Sequence, residues 1–266
     1  MGMKHLALAL MLMPLAAPAL AEPEALPPGL VGARLLPGWT DDQGHRIAAL
    51  ELLLEPGWKT YWRSPGDTGI APSFDWEASD NIGSVQFHWP APEVIDSGGS
   101  RSFGFHESLV LPFEVVPADK EKPVTLAATV DFGLCENICV PAMLSLTAPP
   151  AEDQPDLTIQ AALAAQPQDS TDQPACTLTE IEDGMQVGLT LRDAEGVKAV
   201  AVEYPDRPEI WVSVPETKTD AKGRLTARAD LVPPEGKPFD LDPDRLLITL
   251  IGDRPAVQMQ GCDAAG

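Results

Sequence analysis

Most of the chain reads as short apolar or alternating runs closed off by Pro and Gly. Residues 47–54, 85–89 and 109–116 carry Val, Ile, Leu and Phe in runs of strand length, and a turn residue follows each closely. A fourth segment, 124–132, alternates imperfectly, is rich in β-branched and apolar residues, and leads directly into Cys135. The pattern resumes beyond residue 175 at 185–191, 198–204, 210–214, 225–231 and 246–251, with Asp183-Gly184 and Glu195-Gly196 as turn signals. Between the two sets, Pro, Gln, Asp and Ala dominate residues 149–175, and 157–165 is the one convincing short helix. The pattern predicts an all-β protein built as two β-sandwich domains in tandem, over 22–150 and 173–266, joined by a linker with a short helix over 151–172.

The first residues change this picture at one end only. Lys4 and His5 precede an apolar run over 6–20 that Pro14 and Pro18 interrupt, and the run closes on Ala19-Leu20-Ala21. That order of charged, apolar and small residues is a secretory signal peptide over 1–21, with cleavage expected before Glu22. The run is too short and too proline-broken for a membrane span, and no later stretch approaches 18 apolar residues, so no membrane span is expected. The predicted location is the periplasm.

Charge narrows the function classes. With 40 acidic against 18 basic residues the formal net charge is −22, which argues against nucleic acid and anionic lipid as partners. There is no Gly-rich phosphate loop, His-Glu-x-x-His pattern or Gly-x-Ser-x-Gly elbow, so nucleotide chemistry and the common hydrolytic mechanisms find no support.

The candidate chemistry lies in four cysteines, which an oxidising compartment allows to pair in three ways. Cys176 and Cys262 bracket the second strand-rich segment and read as a structural disulfide. Cys135 and Cys139 stand four residues apart, with Gly133 and Asn137 as turn-tolerant neighbours and Pro141 barring a regular central strand. So small a ring constrains the unfolded chain less than a long one, which makes stability the weaker reason to build it. Exchange chemistry needs two cysteines within reach and one exposed. Exchange, a structural disulfide and a metal site all remain open from spacing alone. A metal site wants further ligands, and His45, His88 and His106 are scattered singly.

Several motifs add a resemblance. Pro56-Gly57-Trp58-Lys59-Thr60-Tyr61-Trp62-Arg63, then Ser64-Pro65-Gly66-Asp67-Thr68-Gly69 with Pro72, then Phe132-Gly133-Leu134-Cys135 and Cys139-Val140-Pro141, resemble the periplasmic N-terminal domain of the DsbD disulfide reductases and their ScsB-like relatives. The likeness covers roughly residues 30–149. It implies an immunoglobulin-like sandwich that takes reducing equivalents from a membrane-embedded thiol reductase relay or a thioredoxin-like domain and passes them to oxidised periplasmic proteins. It implies Cys139 as the exposed sulfur that forms mixed disulfides and Cys135 as its resolving partner, with no cofactor and no metal. It also implies an aromatic cap loop over the disulfide, for which 100–107 is the matching stretch and Phe103, then Phe105, the candidate shield. Arg101 stands where the family often carries acids, and a nearby cation there would favour the thiolate. The aromatic cluster Trp58, Tyr61 and Trp62 reads first as core packing and second as a partner surface. Two other functions compete: a binding module in which both disulfides are structural, and a copper-handling protein that would need His88 or His106 beside the cysteines.

Overall fold

The computed structural model describes residues 26–192, 194–221 and 223–264, so the expected signal peptide lies outside the described residues. The first strands are β1 (Leu30–Thr40), β2 (Arg46–Leu54), β3 (Lys59–Tyr61), β4 (Ser73–Asp75) and β5 (Ile82–Phe87). They are followed by β6 (Glu93–Ser97), β7 (Ser100–His106), β8 (Ser108–Pro117), β9 (Ala127–Cys135) and β10 (Cys139–Thr147). They form two facing sheets, β1-β2-β8-β5 and β10-β9-β3-β7-β6, with β4 added alongside β9.

The core between these sheets is aromatic. Trp62 meets Phe103 edge-on at 6.3 Å, Phe74 lies 4.4 Å from Phe87, and Trp76 packs 5.0 Å from Phe113. Such pairs add about 0.5–1.5 kcal/mol each beyond the area they bury.

β2 explains why its sequence is apolar almost throughout instead of alternating. Ala48, Leu50, Leu52 and Leu54 face the sandwich core, while Ile47 and Ala49 face outward beneath α1 (Leu157–Ala164). Ile159 of the helix is fully buried there, with Leu36 beside it. Asp156 caps the helix, its carboxylate accepting hydrogen bonds from the backbone N–H groups of Thr158 and Ile159 at 2.7 and 3.0 Å. The bulge in β1 beside this patch requires Gly38, whose φ is +62° and where a Cβ would lie 1.7 Å from the Ile47 carbonyl oxygen.

The second half of the described chain carries β11 (Gln168–Ser170), β12 (Ala175–Ile181), β13 (Gly184–Leu191), β14 (Val197–Glu203) and β15 (Trp211–Val212). After these come β16 (Glu216–Thr219), β17 (Leu225–Val232), β18 (Leu247–Gly252), β19 (Val257–Gln260) and β20 (Asp263–Ala264). They again form two sheets, β11-β19-β18-β14 and β15-β17-β13-β12-β20, with β16 paired to β17. A separate apolar core of Val187, Leu189, Val202, Leu231 and Ile248 fills the space between them. The fold is all-β, with α1 the one α-helix among the described residues.

The stretch that composition reads as a connector is held at both ends, since α1 docks on β8 and β11 pairs in parallel with β19. The two pairs of sheets also touch directly. Ala199, Ala201 and Ile251 join the first core, and β18 contacts β6. Arg63 makes a two-pronged ion pair with Glu203, 2.8 and 3.0 Å, and a 2.9 Å hydrogen bond to Gln258. The Val214 N–H donates to Asp67 at 3.0 Å.

Candidate redox site

β9 ends on Cys135 and β10 begins on Cys139, and the two residues face each other directly in the antiparallel register. The Glu136-Asn137-Ile138 turn closes this hairpin. Opposed residues of antiparallel strands lie only about 4.5–5.5 Å apart, so strand pairing alone brings the two cysteines within bonding reach. Their Cα atoms are 4.1 Å apart and the sulfurs are bonded. Pro141 is accommodated because β10 is the outer strand of its sheet.

The two cysteines differ in exposure. Cys135 is 2% exposed, whereas Cys139 is exposed at the start of the edge strand. Ile138 between them is 77% exposed, and Met143 further along β10 is also open to solvent.

Register decides what lies against the disulfide. Cys135 pairs with Lys59, and Tyr61, two residues on, shares that face of the sheet. The Tyr61 hydroxyl donates to Cys135 Sγ at 2.8 Å and lies 3.2 Å from Cys139 Sγ. Tyr61 is 1% exposed, and burial pushes its hydroxyl pKa up, which keeps it protonated as a donor well past neutral pH. Gly133 clears the space for this ring: a Cβ there would lie 3.0 Å from Tyr61 Cδ2 and 2.9 Å from Ile70 Cβ. Ile70 belongs to the loop 62–72 between β3 and β4, so that loop and Tyr61 crowd the cysteine end of β9.

The expected cap reading of Phe103 and Phe105 is corrected. Residues 100–106 form strand β7, in which Thr60 pairs with Phe105 and Tyr61 with Gly104. Period-two alternation therefore turns Phe103 and Phe105 to the face opposite Tyr61 and Cys135. Phe103 packs on Trp62 in the core and Phe105 stacks on Trp89. Arg101 is likewise engaged elsewhere, bonded to Asp96 at 2.9 Å. Tyr61 is the residue that sequence reasoning passed over as core packing. The available signal was a single polar-tipped aromatic between Thr60 and Trp62.

Histidines are not gathered at the cysteines among the described residues. His106 is paired with Glu93 at 2.8 Å, while His88 and His45 both approach Glu114 on the other sheet. The remaining two cysteines, Cys176 of β12 and Cys262 beside β20, are bonded to each other and buried.

With this geometry in place, comparison with known proteins is informative. A family profile described as the N-terminal part of the thiol:disulfide interchange protein DsbD matches residues 32–150. Residues 32–150 form a DsbD N-terminal-like domain. The crystal structure of the N-terminal periplasmic domain of ScsB from Proteus mirabilis is similar in fold, at 22% identity and a TM-score of 0.66. That likeness covers 88% of this chain and 92% of the ScsB chain, so it extends past the DsbD N-terminal-like domain into the second pair of sheets. A titin fragment, at 7% identity over 88% of this chain and 97% of its own, has a TM-score of only 0.17 and adds nothing. No curated protein matches. No helix among the described residues is long and apolar enough to cross a membrane. Of the two disulfides, Cys135–Cys139 lies within the residues that the DsbD N-terminal profile matches and Cys176–Cys262 lies beyond them.

Proposed function

We propose that this protein is a periplasmic exchange protein that passes reducing equivalents to oxidised client proteins through Cys139 and Cys135. The observation that carries the reading is a disulfide between one exposed and one buried cysteine, both sulfurs within reach of a buried tyrosine hydroxyl. A purely structural staple needs neither the asymmetry nor the donor.

The bonded pair corresponds to the oxidised form. A thiolate of the donor, a membrane-embedded relay or a thioredoxin-like domain, attacks Cys139 Sγ, and Cys135 leaves as a thiolate stabilised by the Tyr61 hydroxyl. The second donor thiol resolves that mixed disulfide, leaving the dithiol form and an oxidised donor. In the forward transfer the Cys139 thiolate attacks a client disulfide and expels one client thiolate. Cys135 then attacks Cys139 Sγ, releases the client as a dithiol and restores the Cys135–Cys139 bond. Two electrons and two protons pass to the client in each cycle. The 22–150 region carries this chemistry, and the 173–266 region braces it through Arg63 and Asp67.

The test is equilibration of the mature protein with glutathione buffers, with alkylated cysteines mapped by mass. A potential above about −300 mV for Cys135–Cys139, with Cys176–Cys262 staying oxidised, supports exchange. Equal resistance of both pairs would make both structural and leave a binding module in its place.

A further inference from the structure

The outward face of the β1-β2-β8-β5 sheet holds a second cluster of chemistry-bearing side chains, away from the cysteine hairpin. Glu114 lies on β8, where Ile47 of β2 and Gln86 of β5 are its neighbours in register. His45 precedes β2 and His88 follows β5, each two residues from one of those neighbours, so alternation turns both imidazoles toward Glu114. His45 Nδ1 lies 2.5 Å from one Glu114 carboxylate oxygen, and His88 Nε2 lies 3.7 Å from the other. Asp41, across the β1–β2 turn, completes the group, and one donor atom each from Asp41, His45 and Glu114 lies within 4.8 Å of the others.

We propose that Asp41, His45, His88 and Glu114 bind one first-row divalent cation of the zinc class. A tetrahedral ion about 2.0–2.1 Å from each nitrogen or oxygen ligand separates its ligands by about 3.4 Å; the 2.5 and 3.7 Å distances from Glu114 to the two imidazoles bracket that spacing, while His88 stands outside the mutually close group of Asp41, His45 and Glu114 and has to swing in to become the fourth ligand. Two imidazoles with two carboxylates favour such an ion over calcium or magnesium, and the lack of a thiolate in the cluster disfavours copper(I). Asp41 is held in place by its own turn, since Oδ1 accepts from the Gln43 and His45 N–H groups at 2.9 and 2.8 Å and leaves Oδ2 for the ion. All four side chains are half-buried, reachable from solvent and partly sheltered from it. A net charge of −22 raises the local cation concentration around them.

The alternative is an ordinary His–Glu ion pair, and titration separates the two. The oxidised mature protein, whose cysteines cannot ligate, is stripped with chelator and titrated calorimetrically with zinc chloride at neutral pH. Saturable binding of one zinc per chain is expected. His45→Ala and Glu114→Gln should each weaken it by at least about tenfold, since loss of an outer-shell partner alone has that effect. Zinc should also shift the imidazole resonances of His45 and His88 and leave those of His106, which is paired with Glu93, in place. That measurement needs no variant and so does not depend on one folding. Absence of one-to-one binding, binding unchanged in both variants, or resonances of His45 and His88 unmoved by zinc would overturn the proposal and leave an ion pair only.

Discussion

Tyr61→Phe isolates the contribution of a single oxygen atom. The substitution keeps the ring that packs over Gly133 and removes the hydroxyl that lies 2.8 Å from Cys135 Sγ and 3.2 Å from Cys139 Sγ. A hydrogen bond to a charged group contributes about 1.5–3 kcal/mol, and the burial of Tyr61 and Cys135 leaves little water to screen it. Losing it should raise the pKa of the Cys135 thiol in the reduced protein, because the thiolate loses its buried donor. The bond stabilises the thiolate more than the oxidised sulfur, so its removal also makes the disulfide harder to reduce, by about 30–60 mV where Cys135 is ionised. If about half the charge on the leaving sulfur has formed in the transition state, reduction by a small dithiol slows about 3- to 10-fold. The assay is stopped-flow reduction together with the pH dependence of alkylation of the reduced protein. A Tyr61→Phe protein whose pH profile, potential and reduction rate all superimpose on those of the parent would refute the reasoning.

Removing the two disulfides should have unequal effects on stability. Cys176 and Cys262 are 86 residues apart, for which chain-entropy reasoning gives about 4–5 kcal/mol, against about 2 kcal/mol for the four-residue separation of Cys135 and Cys139. Urea unfolding of the two double Ala variants checks the order, and an equal loss would contradict it. Phe103→Ala should cost about 3–5 kcal/mol as a core truncation, with the reduction rate of the remaining folded protein unchanged. Faster reduction at unchanged stability would instead restore Phe103 to the role of shield.

The strand content was legible because the apolar runs are short and punctuated, and β2, β8, β13 and β17 fall close to where those runs lie. Hidden from the sequence was the burial of β2 on both faces, which depends on α1 packing over a strand that lies more than 100 residues earlier in the chain. The cysteine hairpin was visible in its spacing, and register made the contact. For the cap residues, local pattern and family resemblance point to different places. Phe103 and Phe105 alternate with Ser102 and Gly104, which is the period of a strand and assigns both aromatics to one face. Tyr61 could not be singled out, because the face it shares with Cys135 is fixed by the pairing of β3 with β9 across more than 70 residues of chain. The cluster around Glu114 was invisible for the same reason, as three strands from distant segments assemble it.

The attachment of Arg63 and Asp67 to the second pair of sheets has a mechanical meaning for the disulfide. Arg63 is anchored to Glu203 and Gln258, Asp67 holds the Val214 amide, and Ser73 is already fixed in β4 against β9. Only Thr68 to Pro72 hang between these posts, with Ile70 near their middle. A chain of that length spans at most about 18 Å when fully extended, so the freedom of Ile70 beside Gly133 is set by how far apart the posts stand. The second pair of sheets thereby holds two points of the loop that places Ile70 against Gly133, two residues before Cys135.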